Sequence, residues 1–121
     1  MLSRVSLARR AFRARLGTTL RFTLSKNARV SIVVAQRVVG RRVGRKCVAL
    51  TPVTRRRAPC VRFQTRGTVT SNGRKGANRV RFTARVRGRI LRPGTYRLTL
   101  RARDSGGRRS RPVNVTARIT R

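Results

Sequence analysis

Five segments of the chain alternate apolar and polar residues with a period of two. That spacing puts one face of a strand in a core and the other in water. The clearest sets Val80, Phe82, Ala84 and Val86 against Arg79, Arg81, Thr83, Arg85 and Arg87. Earlier, Leu20, Phe22 and Leu24 share a parity, and Ala28, Val30, Ile32 and Val34 form the next inward row after a Lys26-Asn27 turn. That strand is expected to continue through Val38 to Gly40. Near the C-terminus, Tyr96, Leu98, Leu100 and Ala102 oppose Arg97, Thr99, Arg101 and Arg103. The last row is Val113, Val115, Ala117 and Ile119, after the turn Asp104-Ser105-Gly106-Gly107. Two further strands are weaker: residues 5–12, with Val5, Leu7 and Phe12, and residues 60–69, with Val61 and Phe63 facing inward. About seven strands separated by frequent turn signals predict an all-β antiparallel sandwich. All four phenylalanines and Tyr96 fall on inward positions and would fill the space between two sheets.

One domain fits 121 residues. Residues 1–16 form an N-terminal segment expected to supply the first strand, and residues 17–121 form the sandwich. Between residues 40 and 59 the alternation fails. Gly40, Gly44, Pro52 and Pro59 punctuate this stretch and Arg55-Arg56-Arg57 makes a basic run, so a long loop is expected there. Cys47 and Cys60, the only cysteines, flank it. An even pair in a small domain reads as one disulfide formed in an oxidising compartment. Closing such a loop stabilises a fold by ~3 kcal/mol in the chain-entropy picture. Two free thiols in a reducing cytosol are the competing reading.

The charge balance changes the picture most. There are 34 Lys and Arg against a single acid, giving a net charge of +33. An ordinary small domain carries a net charge of magnitude ~2–8. Only Lys26, Lys46 and Lys75 are lysine. Arginine suits bidentate contacts to phosphate or carboxylate. The spread of arginine over nearly every outward position, instead of along one stripe, favours GC-rich codon usage as its origin. The two places where the cations concentrate are the triplet Arg55, Arg56, Arg57 on the loop and the row Arg97, Arg101, Arg103 on one strand face. These are the candidate contacts to a polyanion.

Catalysis is not expected. The chain has no His and no Glu, and Asp104 is its one carboxylate side chain. General acid–base and nucleophilic chemistry both need a titrating partner, and a metal site needs a cluster of ligands. No cofactor or metal is expected. No apolar run is long enough for a signal-peptide core or a membrane span. The N-terminal segment is rich in Arg and free of acids, which also suits a transit peptide. If the disulfide forms, the export signal must lie outside this chain.

The stretch LRPGTYRLTLRARDSGGRRS, residues 91–110, resembles the penultimate strand and final hairpin of bacterial Ig-like and fibronectin type III-like domains. Pro93, Gly94, Tyr96, Leu98, Leu100, Ala102, Asp104, Gly107 and Ser110 match that pattern, and Arg108 stands where Asn is usual. The whole chain is similar to arginine-rich modules at the C-terminus of exported proteins in high-GC bacteria. The shared features are RFTLSKNARV, the cysteine pair around an arginine run, GANRVRFTARVRG and LRPGTYRL. The resemblance implies an Ig-like sandwich, part of a longer exported protein, acting outside the cell or on its surface as a non-catalytic structural or adhesive module. Its partners would be anionic polymers of the cell envelope. The alternative from charge is a nucleic-acid-binding, ribosome-associated protein. Against it stand the low aromatic content, the inward parity of the aromatics and the lack of a basic helix.

Overall fold

Alternation of this strength leaves the backbone one economical arrangement, in which the apolar faces of two sheets meet. The computed structural model, which describes residues 1–121, contains strands and no helix. In chain order they are β1 Leu2–Leu7, β2 Ala11–Arg13, β3 Thr18–Leu24, β4 Ala28–Val43, β5 Lys46–Val48 and β6 Pro59–Gly73. Then come β7 Gly76–Phe82, β8 Arg85–Val86, β9 Arg89–Ile90, β10 Gly94–Arg103 and β11 Val113–Thr120. One antiparallel sheet has the order β1-β3-β7. The larger sheet runs β2-β11-β10-β4, with β6 on the far edge of β4 and β5 continuing the edge that β10 vacates. All its pairings are antiparallel except β2 with β11. A short hairpin, β8-β9, stands apart.

The core lies between the two larger sheets. Leu20, Phe22, Leu24 and Phe82 come from the smaller one. Val30, Ile32, Val34, Leu98, Leu100, Ala102, Ala117 and Ile119 come from the larger, and all are buried. Each fully buried Leu, Ile, Val or Phe stabilises the fold by ~1.5–3 kcal/mol before entropy is charged against it. Tyr96 is buried too, and its hydroxyl donates to the Arg92 carbonyl at 2.7 Å. This is the geometry of a tyrosine corner, in which an aromatic ring fills the end of a sandwich while its polar tip ties down the preceding turn.

Residues 1–16 form two strands in different sheets, not one. Leu7 and Phe12 are an odd number of positions apart, so a single straight strand would turn one of them outward. The chain instead crosses between layers: β1 pairs with β3, and β2 pairs with β11. Phe12 then meets Phe82 edge-on, with ring centroids 6.1 Å apart. Thr18, the one buried polar side chain, secures the crossing. It accepts from the Arg9 N–H at 3.0 Å and donates to the Arg9 carbonyl at 3.1 Å.

Three other expectations are corrected. The strand expected over 79–87 ends at Phe82. Ala84 takes a left-handed backbone (φ 58°), and the chain folds over the sandwich end as β8-β9. Phe82, Ala84 and Val86 stay buried across the break. Second, β4 does not stop at Gly40 but runs on to Val43 and returns through β5, so the loop shrinks to residues 49–58. Third, Val61 and Phe63 face outward and are 47% and 38% exposed. A bulge in β6, opposite Val34 and Ala35, inserts one residue between Gly67 and Thr65. One inserted residue flips every side chain beyond it to the other face.

Past Gln36, β4 has no β10 beside it and projects as an arm with β5 and β6. The Cys47–Cys60 disulfide forms here. Cys60 pairs with Gly40 and Cys47 with Arg42, so the bond spans β4. A side chain at Gly40 would obstruct it: a Cβ would lie 2.9 Å from the Cys47 sulfur and against the Val48 carbonyl. No helix is long and apolar enough to cross a membrane.

Two substitutions check this construction. Tyr96→Phe should cost about 0.5–1.5 kcal/mol in urea unfolding, because the hydrogen bond to the Arg92 carbonyl is lost. Gly40→Ala should slow oxidation of the cysteine pair, read as titratable thiols remaining after air oxidation, while the circular dichroism of the sandwich persists.

Candidate polyanion-binding surface

Strand alternation sends arginine outward wherever it occupies the polar parity, so the fold turns composition into a surface. The expected contact residues fall into two groups that the structure keeps apart. Arg55, Arg56 and Arg57 are all exposed on the 49–58 loop at the end of the arm. That loop has local order. Thr54 donates its hydroxyl to the Ala49 carbonyl and accepts from the Thr51 N–H, both at 2.9 Å. The Arg57 N–H then donates to the Thr54 carbonyl at 2.8 Å.

Arg97, Arg101 and Arg103 lie on the outer face of β10. Arg103 sits opposite Arg29 of β4 and bridges to Arg109 on its other side. Three cations therefore stand side by side, an arrangement that repels unless an anion covers it. Arg101 is exposed next to Ser31. Arg97 behaves differently: its guanidinium lies over the Phe63 ring, 4.1 Å from the centroid, and its Nε is buried without a partner. Cation–π contact accounts for this half-buried arginine. It also covers one face of the partly exposed aromatic ring, which sequence parity had placed inside.

A third group was not singled out in the sequence. Between β4, β6 and the β8-β9 hairpin is a cleft of about 820 Å³. Arg66, Arg87, Arg89 and Arg92 line it, with Gln36 and Tyr96. Arg66 occupies the β6 bulge and is held there by Gln36, whose Oε1 accepts from its Nε at 3.0 Å and its Nη2 at 2.6 Å. Arg87 and Gly88 form the hairpin turn, both with positive φ (53° and 75°). Burial holds the Tyr96 hydroxyl above the ordinary tyrosine pKa, against the opposing pull of Arg66 and Arg92. It is therefore neutral at physiological pH and adds no negative charge. The four arginines are scattered over 27 positions of sequence (66 to 92), and only the bulge and the turn unite them. The single local cue was Arg87-Gly88 between two short apolar–basic alternations, a hairpin signal.

Asp104, the lone acid, sits at the opposite end of β10 from Tyr96, roughly 27 Å away along an extended strand. Its Oδ2 is 3.1 Å from Lys26 Nζ, and its Oδ1 accepts from the Arg108 N–H at 2.9 Å. The hydrogen bond from Lys26, with help from the Arg108 N–H, holds its carboxyl below the usual aspartate value. Asp104 thus caps the β10–β11 turn and pairs with a lysine. The described side chains offer no cluster of three or more potential metal ligands.

No family model matches this chain, and neither a curated protein nor a solved structure matches it.

A lowered pKa in the folded state means that the unfolded chain binds the proton more readily. The contribution of Asp104 is therefore complete above the unfolded value near 3.8 and is lost as pH falls through the lower folded value. Asp104→Asn should lower the melting temperature at pH 7 and flatten its decline below about pH 4. Thermal melts between pH 2 and pH 7 measure both effects.

Proposed function

We propose that the chain is a non-catalytic Ig-like accessory module that binds anionic polymers of the cell envelope through its positive surface. The order β1-β3-β7 facing β11-β10-β4-β6 supports the Ig-like reading. So does the tyrosine corner at Tyr96. Seven of the eleven strands have six or more residues, which supports a sandwich built on long strands. The disulfide accords with an oxidising, extracellular setting.

The observation that carries the binding reading is that nothing on the surface interrupts the positive charge. The only acidic side chain is tied to Lys26 and to its own turn. The exposed arginines of the loop, of the β10 face and of the cleft are then free to meet phosphates or carboxylates. Binding of this origin is strong at low salt and weakly selective for structure. The same charge would attract nucleic acid. The only outward aromatic, Phe63, already stacks with Arg97, and this favours the envelope polymer over a base-stacking ligand.

The test is binding to wall teichoic acid, heparin and duplex DNA, each titrated at several salt concentrations. Comparable affinities per unit charge, falling together as salt rises, are expected. A strong preference for one nucleic acid at physiological ionic strength would replace this reading with the nucleic-acid one.

A further inference from the structure

We propose that the cleft lined by Arg66, Arg87, Arg89 and Arg92 is a discrete binding site for a ligand carrying two or more adjacent phosphate groups. This goes beyond diffuse charge on the sheet faces. It names one open cleft, one set of residues and one chemical class.

Four observations converge on it. First, the cations come from three separate pieces of chain: the β6 bulge, the β8-β9 hairpin and the turn before β10. Mutual repulsion among four guanidiniums opposes bringing those pieces together, and an anion between them would remove that opposition. Second, Arg66 is oriented. Gln36 takes two of its N–H groups, leaving three of the five as donors on a residue that lines the cleft. A guanidinium held in this way loses little freedom when it binds a phosphate. Third, Arg87 holds a left-handed turn position that Asn, Asp or Gly adopts more easily. Its neighbour in the same segment, Ala84, is left-handed as well. Strain of order 1–3 kcal/mol per residue collects at ligand clamps. Here it places an arginine side chain on the wall of the cleft. Fourth, Tyr96 is neutral and directs its hydroxyl to the Arg92 carbonyl, and the lone carboxylate is at the far end of β10. No acid competes with an incoming anion.

Charge and size set the ligand class. One phosphate group carries about −1.5 to −2 at neutral pH, which would leave four arginines half compensated. Two or three adjacent phosphates match them. A cleft of about 820 Å³ is within the range of small-molecule sites and exceeds the needs of a single oxyanion. The shared chemistry is a run of phosphates, joined directly in free condensed phosphate and spaced by a polyol, one charge to each diester, in a polyol-phosphate polymer of the envelope.

The experiment is calorimetric titration of the whole chain with sodium tripolyphosphate at 0.15 M salt. Three proteins are compared: the wild type, Arg66→Gln/Arg89→Gln, and the control Arg55→Gln/Arg57→Gln. Both pairs remove two exposed cations, so net charge changes equally. One saturable site is expected in the wild type. The cleft pair should weaken it about 100-fold, two charge-assisted contacts being lost, and the loop pair by less than about threefold. Melting temperatures without ligand guard against misfolding. The cleft pair should melt at or above the wild type in low salt, since repulsion is relieved, yet show a smaller rise on adding tripolyphosphate. Competition by a glycerol-phosphate oligomer would identify the polymer as the source, and lack of competition would identify free condensed phosphate. Equal loss in the two pairs, or binding of several tripolyphosphates with no one-to-one site, would overturn the proposal. Teichoic acid binding that survives in the cleft pair would leave the envelope reading standing.

Discussion

The whole structure depends on an apolar layer closing against a charge of +33. Repulsion among so many cations favours any expanded chain, and it acts on the folded state wherever strands set arginines side by side. What opposes it is the interleaving of Leu20, Phe22, Val30, Ile32, Leu98 and Leu100 between two sheets, each with essentially no exposure. Apolar burial is indifferent to salt to first order, and the repulsion is not. The stability of this protein is therefore expected to depend unusually strongly on its ionic surroundings.

Within that constraint, the fold treats its cations in three ways. Most point into solvent from the polar parity of a strand. A few have a local partner: Lys26 has Asp104 and Arg97 has the face of Phe63. The rest are gathered, as in the Arg29–Arg103–Arg109 row and the cleft under the β8-β9 hairpin. Gathering like charges without an acid is energetically adverse, so those places are where an anion gains most by binding. Structure and proposed function meet at this point, because the features that weaken the isolated module are the ones that suit it to a polyanion.

Much of the fold was legible because its strongest strands are straight. The parity of residues 20–34 and 96–102 maps directly onto burial, and Tyr96 is buried as its inward position after Pro93-Gly94 implied. Legibility failed wherever the backbone leaves strict alternation. The bulge at Arg66 inverted Val61 and Phe63. The crossing at residues 8–10 divided one expected strand between two sheets. The left-handed Ala84 broke the segment with the cleanest pattern of all. The crossing left a trace in the odd spacing of Leu7 and Phe12, and Gly67 stands beside the bulge, but the break at Ala84 has no glycine to announce it. The disulfide was legible from cysteine number, but its route across Gly40 was not. The candidate site was half legible for the same reason. Its contiguous cations, Arg55–Arg57 and the β10 row, stand out in sequence, whereas the cleft arginines come together only through irregular backbone.

The central claim is that an apolar β-sandwich core holds against intramolecular charge repulsion. Urea unfolding followed by far-ultraviolet circular dichroism, repeated from low to near-molar sodium chloride, addresses it most directly. The account predicts a β-rich spectrum, one cooperative transition, and a midpoint that climbs steadily with salt as repulsion is screened. A helical or unstructured spectrum in moderate salt, or a midpoint that falls as salt rises, would contradict it.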